Sequence, residues 1–82
     1  MLERLTIQDR LEMFAEAGET SAPLKLWKPT ISKLERGGFL VEIIAPSQRE
    51  GEYYCNIDWK NPRGSAARDM LRLSIQALES NS

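Results

Sequence analysis

The chain has 82 residues, 41% of them apolar, with eleven basic and twelve acidic side chains and a formal net charge of -1. That length makes one domain with a thin core, hiding about 60–65% of the surface its unfolded form exposes. The absence of His, with only one Cys, excludes zinc sites of the usual type, an internal disulfide and every Ser-His or Cys-His catalytic arrangement.

The near-neutral charge runs against a dedicated nucleic-acid binder, which is usually clearly basic. No apolar run approaches the roughly 18 residues of a membrane span. The first ten residues, MLERLTIQDR, carry charges where a secretory signal needs an apolar stretch. The expectation is a cytoplasmic protein with no membrane contact and no cofactor.

Thr6-Ile7-Gln8-Asp9 fits the start of a helix, with Thr6 as cap and Asp9 three residues on, as a capping box requires. Ile7, Leu11 and Phe14 recur at helical spacing with Ala15 beside them, and Glu12 and Glu16 lie on the other side. Gly18 is a natural stop. Leu5 and Ile7 also alternate with polar neighbours, which leaves a short strand at the N-terminus as the alternative. Residues 19–23 form a small-residue linker. Leu24, Leu26, Lys28 and Thr30 then alternate weakly with Lys25, Trp27 and Pro29. Pro29 has no amide hydrogen to give a ladder, so this segment is an edge or an extended approach to a sheet.

The stretch from Thr30 to Trp59 holds most of the β-branched and aromatic residues, with turn signals at Gly37-Gly38 and from Pro46 to Gly51. Gly-Gly is a favoured two-residue hairpin loop. Closing the chain there pairs Arg36 with Phe39, Leu34 with Val41 and Lys33 with Glu42, and sets Leu34, Phe39, Val41 and Ile43 on one face. In a third strand Tyr53, Cys55, Ile57 and Trp59 point one way, and Tyr54, Asn56 and Asp58 the other. Pro62 ends that strand. Ser65 caps a last helix, with Asp69 counted in its first turn. Its rows Ala66, Met70, Leu73, Ala77 and Ala67, Leu71, Ser74, Leu78 give a broad apolar face. The sum is an α+β domain of order αβββα over residues 1–82, a three-stranded antiparallel meander packed with an N-terminal and a C-terminal helix.

The centre supports a competing reading. Pro29 to Leu40 resembles the end of a winged-helix motif, in which a recognition helix runs into a Gly and then a wing hairpin. The hairpin is then Phe39–Ala45 with Glu52–Trp59, and Ser47 to Gly51 its tip. Such a helix exposes Ser32, Lys33 and Arg36 to a major groove. Whether Thr30–Arg36 is strand or helix stays open at this point. The order helix, three strands, helix also resembles double-stranded-RNA-binding domains. Their lysine cluster is absent from the corresponding stretch here, Arg63 to Arg68. A third resemblance covers Val41 to Leu78. Pro46, Tyr53, Cys55, Asp69, Gln76, Ala77 and Leu78 are similar to a pattern in small bacterial domains of unknown function, some thought to accompany toxins as immunity-like proteins. That resemblance implies a bacterial or phage accessory protein.

Each candidate site has a plainer reading beside it. Cys55, between Tyr53 and Ile57, is a buried small hydrophobe before it is a reactive thiol, with no cation near in sequence to lower its pKa. Trp59 is in phase with the core. Trp27, in a Lys-rich and Pro-bounded segment, suits a partner-facing anchor. Tyr54, Asn56 and Asp58, opposite the core, suit a polar interface. Lys25, Lys28, Lys33 and Arg36 form one basic segment, and Lys60, Arg63, Arg68 and Arg72 another. These are solvated surface balanced by acids, or an electrostatic footprint for nucleic acid. Glu42, Glu52 and Asp58 lack a His or a metal pattern, so catalysis is not expected.

The expectation is therefore a small non-enzymatic module that binds another protein through Trp27, Tyr54, Asn56 and Asp58. A homodimer is expected to complete the thin core. The alternative is a nucleic-acid binder using Lys25, Lys28, Lys33, Arg36, Arg63 and Arg68.

Overall fold

A computed structural model describes residues 6–80. The elements are α1 (Ile7–Glu16), β1 (Ser21–Trp27), α2 (Lys28–Arg36), β2 (Leu40–Pro46), β3 (Glu52–Asp58) and α3 (Ser65–Ser80). The fold is α+β, with a three-stranded antiparallel sheet between an N-terminal and a C-terminal helix. It adds a helix between the first two strands. The short strand weighed for the N-terminus rests on Leu5, outside the described residues.

The start of α1 follows from its sequence. Thr6 Oγ1 accepts the Asp9 amide at 3.1 Å, and Asp9 Oδ2 accepts the Thr6 amide at 3.0 Å, closing the capping box. Leu11 and Ala15 are buried, with Ile7 and Phe14 packed at the edge of the core. The helix ends in a Schellman motif. Gly18, at φ 87°, donates its amide to the Ala15 carbonyl, and the Glu19 amide reaches the Phe14 carbonyl.

Residues 30–36 do not form a strand, and the hairpin at Gly37-Gly38 is overturned. Gly37 has φ -77°, whereas a type I′ loop needs positive φ at both central residues. The pair is instead a second Schellman motif. The Gly38 amide donates to the Glu35 carbonyl and the Phe39 amide to the Leu34 carbonyl, with Gly38 at φ 93°. Lys33 therefore does not meet Glu42, and Leu34 is on a helix rather than opposite Val41. Ile31 is buried and Leu34 partly so, one turn apart on the inner side of α2. Pro29 sits in the first turn, where its missing N–H costs nothing, and the Lys28 amide donates to the Gly51 carbonyl at 3.0 Å.

The strand order is β1-β3-β2, not the sequential order of a meander. β1 pairs with β3 from Ser21 opposite Asp58 to Trp27 opposite Glu52. The segment expected as an edge from Leu24 to Thr30 is an edge strand only as far as Trp27; β1 also takes in residues 21–23, read as linker, with Ala22 fully buried, and residues 28–30 open α2. β2 pairs with β3 from Leu40 opposite Asp58 to Pro46 opposite Tyr53, with a register shift between Ile43 and Ala45. The helix after β1 and this order both depart from the double-stranded-RNA-binding arrangement.

All three helices lie on one side of the sheet. The core between the layers is Leu11, Ala15, Ala22, Leu26, Ile31, Phe39, Cys55, Ile57, Trp59, Ala67 and Met70. Phe39 meets Trp59 edge-on, with ring centroids 6.3 Å apart. Two backbone joints tie α3 to the end of α2. The Ala67 amide donates to the Gly37 carbonyl, and the Arg63 amide to the Gly38 carbonyl. Asp69 lies beyond the first turn of α3, where no acid stands. It does not serve the helix dipole as expected.

Candidate functional site

Alternation along β3 sends Cys55 and Ile57 into the core and turns Tyr54, Asn56 and Asp58 to the opposite face. No helix covers that face. Because directly paired residues share a face, Trp27 joins it across from Glu52, Lys25 across from Tyr54, Pro23 across from Asn56, and Leu40 across from Asp58. The four residues singled out as partner contacts, Trp27, Tyr54, Asn56 and Asp58, therefore all stand on one open sheet face.

They do not form one cluster. Trp27 and Tyr54 are diagonal neighbours, about 7–8 Å apart at their backbones. The Trp27 and Asp58 levels are about 20 Å apart along the strands. The aromatic end is an apolar patch. Trp27 is 44% and Tyr54 47% exposed, and the Trp27 ring rests within 3.9 Å of where a Gly51 Cβ would stand. The Lys25 ammonium lies 6.0 Å from the Tyr54 ring centroid, at the outer limit of a cation–π contact. Ile44, Pro23, Lys25 and Tyr54 line a shared depression. The far end is polar. Asp58 Oδ1 accepts the Lys60 amide at 2.7 Å, which gives this carboxylate a turn-forming role. Asn56 is flanked by Pro23 and Glu42.

The basic residues are not gathered into one surface. Lys25 is on the open sheet face. Lys28 and Arg36 stand exposed near the two ends of α2. Lys33 lines a cleft of about 440 Å³ between α1, α2 and α3, whose rim also carries Glu12 and Asp69. Arg63 is in the turn before α3, and Arg68 is on α3 beside Leu71, Arg72 and Ile75. Arg49 occupies the β2–β3 loop.

The three-helix cleft was not legible in the sequence. Its walls include Leu34 and Phe39, which meet α1 and α3 only because residues 28–36 are helical. The exposed Leu40, Ile43 and Ile44 were also missed as a group. Their signal is the run FLVEIIA, too continuously apolar for a strand with one open face.

Cys55 is buried, its thiol 3.5 Å from the Tyr53 carbonyl, and desolvation pushes its pKa up. That is the opposite of a reactive thiol. Glu52 is buried but accepts the Ser47 hydroxyl at 2.8 Å, which accounts for it. Among the described residues no group of three or more Cys, Asp or Glu could hold a metal ion, and no helix is long and apolar enough to cross a membrane. Comparison with protein-family models, with curated proteins and with solved structures finds no match to this chain.

Proposed function

We propose that this chain is a non-enzymatic binding module that docks another protein on the open face of its sheet. The observation that carries this reading is the exposed pair Trp27 and Tyr54, with Ile44 beside Tyr54, on a sheet layer that no helix covers. Buried aromatic anchors supply most of the affinity in protein interfaces, and a polar border fixes register. Asn56, Asp58 and Glu42 provide such a border. A bacterial or phage accessory role, as the resemblance over Val41 to Leu78 implies, is compatible with this use.

A second reading is favoured by one observation. α2 forms directly before the β2–β3 hairpin, exposing Lys28, Ser32 and Arg36, with Arg49 in the hairpin loop. That is the succession of a recognition helix and a wing, and it suits nucleic acid. Against it, Glu35 and Glu50 interrupt the same surfaces, and Arg63 and Arg68 lie elsewhere.

One set of variants separates the two. Affinity capture from the native host compares the wild type with Trp27→Ala/Tyr54→Ala and with Lys33→Glu/Arg36→Glu. A protein partner lost by the aromatic variant by about 30-fold or more, and kept by the charge variant, supports the first reading. Duplex DNA or RNA retained at low salt, released steeply as salt rises and lost by the charge variant, establishes the second. A partner held equally by all three proteins removes both.

A further inference from the structure

We infer that the aromatic end of the open sheet face takes a proline-rich segment of a partner protein in the polyproline II conformation. This names the partner chemistry of the surface proposed above and rests on that reading.

The aromatic end holds hydrogen-bond donors that the chain itself leaves unused. Neither the Trp27 indole N–H nor the Tyr54 hydroxyl bonds another described residue. Lys25 stands beside Tyr54, its ammonium 6.0 Å from the ring centroid. The acid across from Trp27 is Glu52, which is buried and already accepts the Ser47 hydroxyl. Trp27, Tyr54 and Lys25 thus offer three donors and, apart from the Tyr54 oxygen, no acceptor. A partner that covers them has to bring acceptors, because a buried donor left unpaired costs affinity. A helix has spent its carbonyls inside itself, and an ordinary extended segment brings amides that need acceptors of their own. A proline-rich segment differs from both. Proline has no N–H, and the polyproline II helix makes no internal hydrogen bonds, so its carbonyls all stay open. Donors on one side meet acceptors on the other.

The rings suit the same occupant. The Trp27 ring lies against Gly51, 3.9 Å from where a Cβ would stand, and is not in contact with the Tyr54 ring. Each ring therefore keeps an open surface. Pyrrolidine rings pack on aromatic surfaces of this kind, at small entropic cost because the segment is already ordered. Prolines three residues apart in polyproline II are separated by about 9 Å, close to the roughly 7–8 Å between the Trp27 and Tyr54 backbones. Past Tyr54 the track continues into the depression shared with Pro23 and Ile44. The Trp27 and Pro23 levels are about 13 Å apart along β1, which about five residues of such a segment cover.

The test titrates the full chain with acetylated, amidated decaproline, and with a decapeptide of alternating Gly and Ser as the flexible control. Tryptophan fluorescence and the indole N–H resonances report binding. Decaproline should bind saturably with a Kd below about 1 mM. The Trp27 indole resonance should move, and that of Trp59, bonded to Ser74 in the core, should not. Trp27→Ala should weaken binding about 10-fold or more and Tyr54→Phe about 2- to 10-fold, while Ile75→Ala on α3 leaves it within about 1.5-fold. No binding up to about 1 mM overturns the inference. So does equal affinity for the Gly-Ser peptide, or binding unchanged by Trp27→Ala or by Tyr54→Phe. If Trp27→Ala fails to fold by circular dichroism, the wild-type indole resonances and Tyr54→Phe decide. A captured protein partner that depends on Trp27 and Tyr54, with decaproline ignored, refutes the proline-rich segment and leaves the docking reading standing.

Discussion

Ser74 is the side chain through which α3 holds the end of β3 and the turn before β1. It is fully buried, and its hydroxyl accepts the Trp59 indole N–H at 2.9 Å and stands 2.6 Å from the Glu19 carbonyl and 3.0 Å from the Met70 carbonyl. Ser74→Ala removes one oxygen and strands a buried donor and a buried acceptor. The expected loss is about 1–3 kcal/mol, read as a lower urea midpoint with an unchanged slope. Gly38 is stricter still. At φ 93°, a Cβ would stand 2.1 Å from the Gly64 amide nitrogen, which is backbone and has nowhere to go. Gly38→Ala should cost at least about 3 kcal/mol, combining left-handed strain with overpacking, and should be visible as a large drop in Tm. At the other end, backbone and side-chain hydrogen bonds from Thr6 hold the Asp9 carboxyl below its usual pKa of 3.8. A depressed carboxyl stabilises the fold above its unfolded pKa, and the contribution is lost as pH falls through the folded value. Thr6→Ala should therefore raise the Asp9 pKa, followed by NMR titration, and flatten the stability profile below about pH 4.

At the scale of elements, α2 is the informative case. Nine residues are too few for a helix to persist alone in water, so its stability has to come from packing. Ile31 supplies that contact, with 6% of its surface left exposed. Ile31→Ala should cost about 2–4 kcal/mol and lower the helical signal of the native state, in contrast to Ser32→Ala on the exposed side, which should change stability by less than about 0.5 kcal/mol. Chemical denaturation monitored by circular dichroism checks both. Gly37-Gly38 was ambiguous because a primed hairpin turn and a Schellman stop use the same residue. In each, a glycine takes positive φ, and only the preceding residues decide which. Ile31 and Leu34, three residues apart, share a face of a helix and not of a strand, but two apolar positions in seven residues are too few for either period to dominate.

At the scale of the whole molecule, the two-layer arrangement divides the sheet into a face that holds the fold together and a face left free for contact. Ile57, fully buried on the inner face, should lose about 2–5 kcal/mol on replacement by Ala. Trp27→Ala and Tyr54→Ala should each lose less than about 1 kcal/mol, despite their larger side chains, because both rings stay more than two fifths exposed and no helix packs on them. The same denaturation series measures all three. A large loss at Trp27 or Tyr54 would mean that the open face supports the fold and would remove the argument for it as a contact surface. Two tryptophans in opposite settings add an optical check. Trp59 is fully buried, so Trp27→Phe should leave a blue-shifted emission that acrylamide quenches poorly.

What the sequence determined by itself was everything set by local periodicity and local chemistry. The capping box at Thr6 and Asp9, the stop at Gly18, the alternation that buries Cys55, Ile57 and Trp59, and the amphipathic run of α3 all depend on neighbours within about one turn or one strand. So does the placement of Tyr54, Asn56 and Asp58 on one face. The tertiary structure alone decided what depends on distant contacts. Ile31 needed the core to make a helix of residues 28–36. β3 needed both neighbours before the order β1-β3-β2 replaced a meander, and Trp27 joined Tyr54 only through the Ser21–Asp58 register. The basic residues, adjacent in two sequence segments, were separated for the same reason. A helix turns its successive side chains about 100° apart, and the sheet face, the cleft and α3 each took one of them.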